Sequence, residues 1–296
     1  MSARALDLVR TWPVPTVAAA VVRLDGPPGV PLVLDSEGPT DHVFRLASIS
    51  KPMSAWATLI AVEEGIVSLD DRVDAPGSER ADDEPTRTLA HLLAHAGGYG
   101  FDSDGPISAP ERTRIYSNTG YDTIGDHVAA AAHMPFAEYL AAAVFEPLGM
   151  SSSRLDDQGS PAKDVTSTVD DVVRFMIETV QPRLVSPVTA ADATRTHWPD
   201  LGGIVPGVGR FDTCPWGQGV EIRGDKQPHW TGRANSEATF GHFGGAGTMM
   251  WIDPATEPVL GVVALTDRSF DEWAADALRL WPEFSDAALR EFAGVS

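Results

Sequence analysis

Phe44-Arg45-Leu46-Ala47-Ser48-Ile49-Ser50-Lys51-Pro52 leads into Met53-Ser54-Ala55-Trp56-Ala57-Thr58-Leu59-Ile60-Ala61-Val62, a run that is apolar on most sides. The spacing predicts one long buried helix from Ser48 to Gly65. Pro52 fits only in its first turn, where the N–H has no helical acceptor. Ser48 and Lys51 stand three apart and share a helical face. A serine at a helix N-terminus sits where backbone N–H groups and the dipole favour developing negative charge. A lysine one turn deeper, partly desolvated, can lose its proton and activate a hydroxyl.

The chain has three lysines, Lys51, Lys163 and Lys226, against nineteen arginines. The one lysine entering a buried helix is therefore no generic solvated cation, and arginine does not deprotonate. Ser160-Pro161-Ala162-Lys163 repeats the spacing but follows Gly159, holds an internal proline and opens no apolar helix. It is discounted.

Tyr116-Ser117-Asn118 precedes a second helical segment, in a chain with four tyrosines and two asparagines. A phenol near a lysine ammonium is expected to have a lowered pKa and to accept a serine proton. An asparagine amide can bind a substrate carbonyl and hold the lysine. The plainer alternative is a capping turn in which Ser117 or Asn118 satisfies backbone N–H groups. Gly241-His242-Phe243-Gly244-Gly245-Ala246-Gly247 falls in a strand-rich region. Glycines there let the backbone approach a ligand, and an N–H beside that of Ser48 makes a two-donor oxyanion hole. The alternative is a tight turn with a structural histidine.

Working outward, Ser2 to Trp12 reads as a helix stopped by Pro13 and Pro15. Thr16 to Leu24 and Val30 to Leu34 read as strands joined by a turn at Asp25-Gly26-Pro27-Pro28-Gly29. Asp70 to Pro85 is acidic and loop-like. Helical patterns follow at Leu89–His95, Tyr121–His133, Phe136–Phe145 and Val169–Val180. Strand patterns return at Gly219–Arg223, Gly247–Ile252 and Val259–Thr266, and Phe270–Trp281 closes with a helix. This order predicts an α+β fold with one antiparallel sheet built from both ends of the chain and flanked by N- and C-terminal helices. A single domain of two lobes is expected, residues 1–75 and 205–296 forming the α/β lobe and 76–204 an inserted helical lobe. A ligand cleft is expected between them.

Composition narrows the function. With 42 acidic and 22 basic residues the net charge is -20, which repels phosphate backbones and anionic membranes. No apolar run approaches the roughly 20 residues that span a bilayer. The apolar stretch Val17 to Val22 lacks the flanks of a signal peptide, so a cytoplasmic protein is expected. Cys214 is the one cysteine, which excludes an intrachain disulfide. His91 and His95 are four apart, but no Glu follows His91, so neither a metal nor another cofactor is expected. Nothing in the pattern indicates an oligomeric state.

Taken together, the three motifs resemble the serine β-lactamase and penicillin-binding protein superfamily, most closely its class C β-lactamase, DD-peptidase and serine esterase branch. That order is Ser-x-x-Lys, Tyr-x-Asn, then Lys/His-x-Gly. Leu69-Asp70-Asp71-Arg72-Val73, Leu92-Leu93-Ala94-His95-Ala96-Gly97-Gly98, Pro147-Leu148-Gly149-Met150 and Ser167-Thr168-Val169-Asp170-Asp171 look like that family too. The resemblance implies Ser48 as the acylated nucleophile, with Lys51 and Tyr116 sharing the general-base work. It implies Asn118 orienting substrate and lysine, His242 at the cation position of the third motif, and Phe243 and Gly244 beside the substrate. Backbone N–H groups of Ser48 and Gly245 would hold the oxyanion.

The family often has a hydroxyl residue after that cation, which holds a substrate carboxylate; Phe243 cannot. The expectation is therefore a serine hydrolase of small, mostly uncharged esters or activated amides, most simply an esterase with a small-molecule acyl substrate. The alternatives are a β-lactamase, D-amino-acid peptidase or acyltransferase of the same fold, and a non-catalytic binding protein that kept it.

Overall fold

The computed structural model describes residues 4–27, 30, 32–73 and 86–295. Pro28 and Gly29 of the expected turn, most of the acidic loop and the expected lobe boundary at 75–76 lie outside them.

Along the chain run α1 (Ala5–Val9), β1 (Val17–Arg23), β2 (Leu32–Glu37), β3 (Phe44–Arg45), α2 (Ser50–Glu63), α3 (Leu89–Leu93) and α4 (Asn118–Ala132). Next come α5 (Phe136–Leu140), α6 (Glu146–Leu148), β4 (Thr166–Ser167), α7 (Val169–Val180) and α8 (Pro187–Ala193). The last third holds β5 (Gly203–Val205), β6 (Gly209–Phe211), β7 (Glu221–Ile222), β8 (Phe240–Gly244), β9 (Thr248–Asp253), β10 (Leu260–Thr266) and α9 (Phe270–Phe292).

The expected antiparallel sheet is present, with six strands in the order β2-β1-β10-β9-β8-β7. Both ends of the chain meet at its centre, where Val17 pairs with Thr266 and Arg23 with Leu260. β1 reads as a continuous apolar run because both faces are covered. Ala18, Ala20 and Val22 join the core beneath α2 and α7. Ala19 and Val21 join a second core with α1 and α9. Three consecutive alanines at the middle of β1 leave room for helices on both sides.

Boundaries moved for local reasons. α4 starts at Asn118, three residues early, because the Ser117 hydroxyl accepts the Gly120 N–H and caps it. α5 continues through a π-turn, Ala141–Phe145, into α6. α9 runs past Pro282, losing one helical hydrogen bond, because Phe284, Ala288 and Leu289 are buried below it. β2 lies later than expected, and the expected strand at Gly219–Arg223 narrows to two residues. The β3–β4 and β5–β6 pairs and α8 were not anticipated; each strand is three residues or fewer, too short for a periodicity to register.

No single helix among the described residues is long and apolar enough to cross a membrane.

Candidate active site

Ser48 sits in a single 3-10 turn, Ala47–Ile49, that runs directly into α2. The expected helix therefore begins as a tighter turn, entered through Ala47 at φ 49°. A left-handed alanine costs about 1–3 kcal/mol and persists only where neighbours over-determine it. Here they do. The Leu46 N–H donates to Val165 O at 2.9 Å, and Thr248 Oγ1 donates to Leu46 O at 2.8 Å. Ser50 Oγ donates to Ala47 O at 2.6 Å and accepts the Val165 N–H at 3.1 Å. Gly244 lies directly beneath, since a Cβ there would stand 2.3 Å from Leu46 O. Neighbouring Gly245 faces open space and lines the cavity with Ser48.

Lys51 is fully buried and has three acceptors. Its Nζ lies 2.7 Å from Asn118 Oδ1, 3.0 Å from Ala162 O and 3.3 Å from Ser48 Oγ. Burial pushes the amine down to about 7, assisted by Lys163 and opposed by Asp122 and Asp102. The neutral amine keeps two donors for Asn118 and Ala162 and turns its lone pair to the Ser48 hydroxyl. The discounted Ser160–Lys163 stretch thus contributes a backbone carbonyl, not a second nucleophile. Lys163 itself is exposed.

The Tyr116 ring lies 4.5 Å from Lys51 Nζ. Its expected lowered pKa is corrected: burial raises the phenol well above its ordinary value, and the Ser48 hydroxyl only partly offsets that. The buried hydroxyl has no complete hydrogen bond. It is a neutral phenol and not a standing base. The capping reading of Tyr116-Ser117-Asn118 holds at Ser117, and the fold also brings Asn118 to Lys51. Ser117 caps α4, while Asn118 donates from Nδ2 to Asp102 Oδ1 at 3.0 Å and accepts from Lys51. Both ends of the Asn118 amide are therefore engaged within the protein.

His242 lies on β8, buried, with Nδ1 2.6 Å from Phe243 O. It stands at the cation position of the third motif without carrying a charge. Burial and the neighbouring Lys51 push the imidazole down to about 3, so it is neutral at physiological pH. With its proton held on Nδ1 by Phe243 O, Nε2 is an unpartnered acceptor. Phe243 packs against Trp230, Phe270 and Trp281 and lines the cavity.

Sequence reasoning missed the cavity's far wall. Glu221 on β7 is buried in it and meets Lys226 Nζ at 3.1 Å, His229 Nε2 at 3.2 Å and the Trp230 indole N–H at 2.7 Å. Burial alone would raise this carboxyl; Lys226 and then His229 outweigh it and hold the group well below the carboxylate range. No spacing signals this cluster, because β7 is two residues long. Trp216 also lines the cavity, whereas Trp251 is core and donates to Ser285 Oγ. His91 and His95 do not converge. His91 Nε2 meets Glu111, while His95 Nδ1 accepts the Ser117 N–H and its ring lies 4.6 Å from Tyr116. Among the described residues no group of three His, Cys, Asp or Glu is placed to hold a metal.

Ser48, Tyr116, Trp216, Glu221, His242, Phe243 and Gly245 thus surround one cavity of about 220 Å3, with Lys51 directly behind the serine. A β-lactamase family model matches residues 15–281, a span that contains all three motifs. The chain belongs to the β-lactamase family. Among solved structures it is 43% identical to a β-lactamase from Mycobacterium bovis over 98% of this chain and 99% of that one, with a TM-score of 0.87. Penicillin-binding protein 4* of Bacillus subtilis is 28% identical over 39% of this chain. That match spans only 31% of the relative's length. A hydrolase with promiscuous acyltransferase activity shares the fold at 17% identity, covering 96% of both chains with a TM-score of 0.73.

Proposed function

We propose that this β-lactamase-family chain is a serine hydrolase that forms an acyl-enzyme on Ser48 and acts on uncharged esters. The observation that carries it is the pairing of Lys51 Nζ with Ser48 Oγ, with the lysine held near neutral pKa. Neutral Lys51 takes the Ser48 proton as Oγ attacks the ester carbonyl. The oxyanion forms against the N–H groups of Ser48 and Gly245. Collapse breaks the bond to the alkoxy oxygen, which receives the proton from the Lys51 ammonium through the Tyr116 hydroxyl. Water then attacks the acyl carbonyl and gives a proton to Lys51; collapse breaks the bond to Ser48 Oγ, which takes that proton back, and the acid leaves.

The preference for uncharged substrates rests on what surrounds the serine. Phe243 offers no hydroxyl, His242 is neutral, and the Glu221 carboxylate is already neutralised by Lys226. An anionic substrate finds there only the half-protonated Lys51. β-Lactam hydrolysis is the second reading, favoured by the 43% identity to the M. bovis β-lactamase. Turnover of p-nitrophenyl butyrate and nitrocefin by wild type and Ser48→Ala decides between them. Faster ester cleavage that disappears in the variant is expected. Rapid Ser48-dependent nitrocefin turnover with weak ester cleavage would establish the second reading, and equal activity in both proteins would remove the nucleophile.

A further inference from the structure

Beside the cavity over Ser48 lies a second hollow of about 380 Å3, between the loop preceding α4 and the β5–β6 hairpin. Phe101, Tyr116 and Pro206 line both, so the two adjoin. The outer rim is apolar and exposed. Phe101 is 52% exposed, Ile107 66% and Ile204 46%. Single exposed hydrophobic residues need no explanation. Three that converge on the mouth of one cavity do, because such a patch marks a binding surface.

The side-chain polar groups of Thr113 and Arg114 along this trough are already committed, Thr113 Oγ1 donating to Gly202 O at 2.9 Å. The Arg114 guanidinium donates to carbonyls of Cys214, Ala94, His197 and Trp198. Arg210, opposite Ile204 across the hairpin, is exposed at the outer end, where its aliphatic stem can flank a chain while its head stays in water. The walls are anchored as well. Ile107 N–H donates to Gly98 O at 2.9 Å, and Arg114 N–H donates to Gly202 O at 2.8 Å, next to β5.

We infer that this trough holds a linear alkyl chain of the ester substrate, running from the carbonyl over Ser48 past Tyr116 and Phe101 to Ile107 and Ile204. The inference rests on the serine-hydrolase reading and names its substrate class: medium- to long-chain alkyl esters. Each methylene buried in the trough is worth on the order of fourfold in kcat/KM.

The test uses p-nitrophenyl acetate, butyrate, octanoate and decanoate below their micelle concentrations, with decyl acetate as a second arm. Wild type is expected to prefer the decanoate or the decyl ester over the acetate by at least tenfold. The arm that shows the preference assigns the chain to the acyl or the alcohol side. Ile107→Ser/Ile204→Ser should lose about tenfold on the long ester and stay within twofold of wild type on acetate, which also reports an intact fold. Ser48-dependent hydrolysis with no length preference, or equal losses on long and short esters, overturns the trough and leaves the hydrolase. No Ser48-dependent cleavage of any ester and no Ser48 adduct with a fluorophosphonate overturns both. If the double variant changes the sedimentation coefficient while the length profile holds, the patch is a contact between copies and the inference fails.

Discussion

Lys51 Nζ stands 2.7 Å from Asn118 Oδ1, although the two residues are 67 positions apart. The contact joins the first turn of α2 to the first turn of α4 and fixes the lysine against Ser48. A neutral amide at this point stabilises the ammonium far less than a carboxylate would, so burial dominates and the amine sits at about 7. The activity profile follows. Esterase kcat/KM should rise with pH through about 7 and level off above 8. Asn118→Asp places a negative charge on the ammonium and should move that limb upward by a pH unit or more. Profiles from pH 5 to 9 on both proteins check it; superimposable limbs would exclude Lys51 as the base.

Tyr116→Phe separates the phenol's chemical role from its packing. The hydroxyl has no complete hydrogen bond, so removing it leaves no partner unsatisfied, and the melting temperature should change by no more than a few degrees. Activity should fall by about 10²–10⁴, the range of a lost proton-transfer group. Retained activity would leave the leaving-group proton to Lys51 alone.

The buried amine also makes stability depend on pH. Lys51 titrates at about 7 in the folded protein and near 10.5 when unfolded. Between those values the unfolded chain binds one more proton, so this residue makes stability rise with pH, by about 1.4 kcal/mol per unit. Lys51→Met should remove that slope. Urea melts of both proteins at pH 7.5, 8.5 and 9.5 give the difference directly, and parallel lines would refute the depressed amine.

Two adjacent glycines should respond oppositely to a methyl group. In Gly244→Ala the new Cβ meets Leu46 O at 2.3 Å and Thr248 Oγ1 at 2.4 Å. Something must shift, at a cost of about 1–3 kcal/mol, and what shifts is the segment carrying Ser48. Both stability and kcat should drop. In Gly245→Ala the Cβ meets nothing within 4 Å, so the fold should be unaffected. Thermal melts together with kcat for the pair test this; equal destabilisation would contradict it.

The sheet and the segment from Ser48 to Lys51 were legible because each carries a strong local signal. Ala18–Val22 is apolar without a break, as a strand covered on both faces must be. Ser48 and Lys51 stand one turn apart at the entry to α2, a helix buried without a break from Ser50 to Ala61. Tyr116 and Asn118 stood out by scarcity. The β5–β6 hairpin was not legible, because two three-residue strands show no period. Asp102, Ala162 and Glu221 were missed for a different reason. A carbonyl that holds Lys51 and a carboxylate in the cavity wall act through position, and neither stands near the motifs in the chain.

By itself the sequence determined the candidate side chains of the three motifs, the order of those motifs and the antiparallel core, because these follow from residue type and periodicity. Protonation states were decided only in the tertiary structure. Burial brings Lys51 to about 7, holds His242 neutral and keeps the Tyr116 phenol protonated. Desolvation depends on every atom packed around a group, and those atoms come from segments more than a hundred residues apart, as Ala162 and Lys51 do.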